Sequence, residues 1–117
     1  MNKVGSKRLL KLADLLDDVP VKEFNLGRWE GEETECGTVA CAVGHACLSS
    51  AFEGIYFDWG LPRSEEHDGW DAVEHYFSLS FGDSLKLFSE GAYKNMNKTR
   101  PKTVANRIRK FVKEQAA

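Results

Sequence analysis

Seventeen consecutive residues without a formal charge, "CGTVACAVGHACLSSAF" from Cys36 to Phe52, constrain this chain more than any other stretch. With 29% of all residues charged, so long a neutral run belongs in an interior. Its glycines, histidine and serines make it too polar and too short for a membrane span, so it reads as a buried core helix. The pattern places that helix at about 38–52, with Thr38 as N-cap and Gly37 allowing a tight turn before it.

The rest of the chain reads as further helices packed around it. "SKRLLKLADLLDDVP" has Leu9, Leu12, Ala13 and Leu16 at helical spacing, widened by Leu10 and Leu15, with Ser6 as its cap and Pro20 as its stop. Asp17 and Asp18 sit unfavourably at the negative end of that helix dipole. Phe24, Leu26 and Trp29 follow in an irregular connector as core plugs, and "EGEETE" reads as a solvated acidic loop. "WDAVEHYFSLS" and "SFGDSLKLFSE" give two more helices, the second opened by a Ser80–Asp83 capping box. The last begins near Thr99–Pro101 and carries Val104, Ile108, Phe111 and Val112 as its apolar stripe. No alternation of period two stands out. The expected fold is all-α, one domain over residues 1–117, a bundle of four or five helices around the 38–52 helix.

The neutral run admits three readings. As packing, Gly37, Ala40, Cys41, Gly44, Cys47, Leu48 and Ala51 line one side of a helix, where small residues let a neighbouring backbone come close. As a metal site, Cys41 and His45 stand one helical turn apart, with Cys36, His67 or His75 as further ligands, yet no C-x₂-C pair accompanies them. As a nucleophile, Cys36 precedes a helix N-terminus, where free N–H groups lower a thiol pKa, with His67 or His75 as base. Packing accounts for every residue except His45. No cofactor is implied by any motif, and a catalytic reading is the lesser one.

Residues 53–69, "EGIYFDWGLPRSEEHDG", form a long non-helical connection. Tyr56, Phe57 and Trp59 in it either cap the core or offer a binding surface of the aromatic type enriched at hot spots. A pocket between this loop and the central helix would suit a small ligand, although a lone C-G-T turn is a weak phosphate signal. Charge is segregated: residues 1–13 carry +4, residues 14–90 carry −13 and residues 91–117 carry +7. The basic end either packs against the acidic middle or binds nucleic acid through Arg107, Arg109, Lys110 and Lys113. The opening "MNKVGSKRLL" lacks a long apolar region, and three cysteines without an export signal point to a cytoplasmic, reducing compartment.

"CGTVACAVGHA" resembles the C-G-T-x-x-C-x-x-G-x-A signature of small uncharacterised proteins of bacteria and tailed phages, matching at Cys36, Gly37, Thr38, Cys41, Gly44 and Ala46. The likeness extends through "LLKLADLLDDVPVKEFNLGRW", "AVEHYFSLSFGDSLKLFS" and "KTVANRIRKFV". A bulky aromatic often stands at the place of His45 in that pattern, which weakens a ligand role for it. The resemblance implies a phage or mobile-element setting. The expected function is therefore non-enzymatic: binding a protein partner, as a phage accessory or counter-defence factor that engages a host component. A Cys36-dependent enzyme and a nucleic-acid binder are the alternatives.

Overall fold

The computed structural model describes residues 2–24, 33–34, 37–38, 41–89, 92–93 and 99–116, without the side chains of 33, 34, 37, 38 and 116. Helix α1 spans Lys3–Asp17 and is followed by a single 3-10 turn at Val21–Glu23. Two short strands, β1 (Glu33–Thr34) and β2 (Gly37–Thr38), pair antiparallel ahead of α2 (Ala42–Leu48). Strands β3 (Tyr56–Asp58), β4 (Leu61–Ser64) and β5 (His67–Asp68) then lead into α3 (Trp70–Phe77), α4 (Phe81–Phe88) and α5 (Pro101–Ala116).

The fold is therefore not all-α. Residues 53–69 form a three-stranded antiparallel sheet of order β3-β4-β5, where the sequence suggested an irregular connection. The alternation was present but short. Leu61, Pro62, Arg63 and Ser64 run exposed, buried, half-buried, buried, and each strand offers only two to four residues. Pro62 also lies inside a strand, a position that argues against one by propensity. Here the sheet backs onto α2 and α3, and Pro62 and Ser64 of its middle strand are buried, as is Ile55 just before β3.

The central helix is also shorter than its apolar run. It covers Ala42–Leu48 only, because the chain at Gly37–Thr38 is extended and paired with β1, and Cys41 rather than Thr38 is the N-cap. Ser49 returns the backbone to an extended conformation at the other end. A ridge from Gly37 to Ala51 therefore does not exist. The buried positions of α2 are Ala42, Val43, Gly44 and Ala46, while Leu48 and Ala51 are exposed. Likewise, part of the acidic "EGEETE" segment is strand, at Glu33–Thr34.

The remaining helices follow their sequence patterns. Asn2 rather than Ser6 caps α1, its side chain accepting from the Gly5 N–H at 2.8 Å. Ser80 caps α4 through the Asp83 N–H at 3.1 Å, as the capping box requires. Helix α5 lies along α1, and Leu9, Leu12, Ala13 and Leu16 meet Val104, Ala105, Ile108 and Phe111 in one core cluster. Each fully buried leucine or isoleucine there contributes about 1.5–3 kcal/mol relative to exposure. Phe24 is buried as expected, whereas Leu26 and Trp29 lie outside the described residues. Among the described residues, no helix is long and apolar enough to cross a membrane.

Candidate functional site

Among the described residues, the most exposed large hydrophobic one is Trp59, at the tip of the β3–β4 hairpin. Asp58 pairs with Leu61, so Trp59 and Gly60 make a two-residue turn. Their φ angles are 54° and 78°, the doubly positive pattern of a type I′ turn that matches the twist of paired strands. Gly60 adopts this conformation freely, and no atom stands where its side chain would be. Tryptophan does not, since a bulky residue with positive φ is strained. Its indole is 97% exposed, so packing does not compensate.

The hairpin splits the three aromatic residues singled out in the sequence. Phe57 pairs across to Pro62 and is half-buried on the side facing the core. Tyr56 and Trp59 lie outside, joined by Leu61, which sequence reading missed because its strand was not recognised. On the same outer face, Arg63 bridges Asp68 at 3.1 Å and Asp58 at 3.4 Å, tying the three strands together. Asp68 first, then Tyr56 and Asp58, hold the Arg63 pKa above its ordinary value.

His67 and His75, named separately as possible ligands or bases, come together. Their rings stack with centroids 4.3 Å apart, and His75 Nε2 lies 3.3 Å from Glu65 Oε2. This cluster joins the β4–β5 turn to α3. Cys36, the candidate nucleophile they would serve, lies outside the described residues.

Cys41 and His45 face different partners. The Cys41 sulfur accepts the Gly44 N–H at 3.3 Å as the cap of α2, and burial pushes its thiol pKa up to about 11. His45 Nε2 lies 2.7 Å from the Glu23 carbonyl oxygen, and its ring stacks on Phe24. Cys41 thus closes the first turn of α2, and His45 ties the helix to the Val21–Glu23 turn. Among the described residues, no group of three or more His, Cys, Asp or Glu is placed to hold a metal ion.

The basic residues of α5 are partly committed as well. Arg109 reaches Asp14 at 2.9 Å and also pairs with Asp17, so the basic end neutralises the acidic end of α1. Arg107 donates to the carbonyls of Lys86 at 3.1 Å and Ala92 at 2.8 Å, and stacks over the buried Tyr93 ring. Lys110 approaches Glu114 at 4.0 Å, and Lys113 is exposed.

Between α1, α3 and residues 50–53 lies a cavity of about 450 Å³ lined by Arg8, Lys11, Phe52 and Tyr76. Its cations are held on backbone carbonyls: Arg8 donates to Tyr76 O in the last turn of α3 at 2.8 Å, and Lys11 donates to Ala51 O in the turn after α2.

Comparison with known proteins adds little. No protein-family model matches the chain, and no solved structure matches it. A diaminopimelate epimerase of Desulfovibrio desulfuricans is 28% identical over 83 residues, 71% of this chain. The chain spans less than a third of that protein's length, the match covering 29% of it.

Proposed function

We propose that this protein is a non-enzymatic binding module that presents the β3–β4 hairpin to a protein partner in the cytoplasm. One observation carries the reading: Trp59 stands at the hairpin tip with a φ of 54° and 97% exposure. Neither backbone preference nor burial rewards a tryptophan there, and residues kept against local stability concentrate at functional sites. A rigid indole on a two-residue turn, flanked by exposed Tyr56 and Leu61, is the type of anchor that fills a partner's pocket. In the setting that the motif resemblance implies, the partner is a host component and the protein a phage accessory or counter-defence factor.

An enzymatic reading borrowed from the diaminopimelate epimerase match has less support. The described thiol of the motif, Cys41, is buried and held neutral. The binding reading is tested by affinity capture from the native host with the parent and with Trp59→Asn. Loss of the same captured protein from the variant, with its fold intact by circular dichroism, is the expected result. Retention of that protein by Trp59→Asn, or capture of none by the parent, ends the proposal.

A further inference from the structure

A second surface of this chain has the shape and charge to receive the hairpin. Between α1 and α5 runs a groove of about 340 Å³, lined by Lys3, Lys7, Leu10, Val112 and Gln115. Its volume falls at the lower end of the range for ligand pockets, about 300–1,000 Å³. Leu10, which the helical pattern assigned to a wide core stripe, is instead 40% exposed and sits in this groove with Val112. Lys3 and Lys7 stand at its rim. Among the described residues neither has a carboxylate partner, in contrast to Arg63, Lys102, Arg109 and Lys110. The positive end of the α1 dipole lies alongside them.

The hairpin and its flanks have the opposite sign. Residues 53–71 hold Glu53, Asp58, Glu65, Glu66, Asp68 and Asp71 against Arg63 alone. That cation is used within the sheet, on Asp58 and Asp68. The sheet therefore offers an exposed indole inside an acidic field, and the groove offers an apolar floor inside a basic one. Such complementarity steers association and fixes which surfaces meet.

We propose that the Trp59 hairpin of one copy of this chain seats in the Lys3–Lys7–Leu10–Val112 groove of another. The proposal rests on the reading of the hairpin as a binding surface and names one occupant for it. A single tip buries well under the ~800 Å² per partner of a stable interface, so one contact alone is weak. Two such contacts, exchanged reciprocally across a two-fold axis, approach that size and close the assembly.

Sedimentation velocity on the full chain from about 10 μM to about 1 mM, at low and high salt, tests it. The parent should associate, more weakly at high salt. Trp59→Ala and the double variant Lys3→Glu/Lys7→Glu should each weaken association at least about tenfold. Mixing these two variants rebuilds one of the two contacts, the intact groove on one and the intact hairpin on the other, so the mixture should associate more than either variant alone and less than the parent. A parent that stays monomeric throughout overturns the proposal, as does association that survives either variant, or a mixture that associates no more than the separate variants. These failures leave the binding reading intact if Trp59→Asn still loses the captured host protein, so the two ideas fall separately.

Discussion

Gly5 of α1 packs directly on the carbonyl of Phe77, where α3 ends: a methyl group at Gly5 would lie 2.3 Å from that oxygen and 2.8 Å from Ser78 Cβ. The neighbour is backbone at the last turn of α3, where Tyr76 and Phe77 are buried, so it has little room to yield. Gly5→Ala is therefore expected to destabilise the fold by about 1–3 kcal/mol or more, as overpacking does, despite the better helix propensity of alanine. A lower urea midpoint with an unchanged m-value would confirm it; a midpoint equal to or above the parent's would contradict this packing.

Trp59 should show the reverse trade. Asparagine tolerates positive φ and Asn-Gly is a favoured type I′ pair, so Trp59→Asn should gain up to about 1 kcal/mol. Equilibrium denaturation of the two proteins is sufficient. A clear loss of stability would mean that the indole packs on its own domain after all.

Cys41 links folding to alkaline pH. Its thiol is raised from 9.0 to about 11 by burial, opposed by N–H groups at the start of α2. Because the folded value lies above the unfolded one, its contribution is fully present below pH 9 and is lost as pH rises through about 11. The fall from this group alone is about 2–3 kcal/mol, from about 1.4 kcal/mol per unit. Cys41→Ser keeps an oxygen cap without the titration, so its stability curve should be flatter between pH 9 and 11 under reducing conditions. A further fall should remain, since burial also raises Tyr93 from 10.0 to about 12. Parallel curves for parent and Cys41→Ser would refute the assignment.

Asp17 links it to acid. A hydrogen bond from Arg109 holds its carboxyl below the usual value of 3.8, with Lys102 adding to the effect at 3.5 Å. The folded value being the lower one, this stabilisation is present above 3.8 and is lost as pH falls through the folded value. Asp17→Asn should be less stable than the parent at neutral pH, and the gap should close as pH falls below 3.8 and narrow with salt. A gap independent of pH would show that packing, not the ion pair, was removed.

Much of this architecture is legible in the chain alone. Helices α1, α3, α4 and α5 follow from apolar positions at helical spacing, because a stripe that wide must be buried. Of the caps read from the sequence, the Ser80–Asp83 box marks the start of α4, whereas Asn2 and not Ser6 starts α1. The aromatic cluster at 56–59 is legible as a group, whereas the charge segregation leaves the partner of the basic end open, and the structure pairs Arg109 with Asp14 and Asp17.

What the tertiary structure decided lies where local signals are weak or opposed. Strands of two to four residues carry too little alternation to register, and their pairing depends on α2 and α3 covering one face. The neutral run from Cys36 to Phe52 dictated burial, but burial does not require a helix. Backbone groups at Gly37–Thr38 bond to β1 instead, and Cys41 takes over as cap. Asp17, misplaced by the helix dipole alone, is explained only when Arg109 arrives from the far end of the chain. The split of Phe57 from Tyr56 and Trp59 has the same origin. Hairpin register, set by a two-residue turn, puts one ring half-buried on the Pro62 side of the sheet and leaves the others in water.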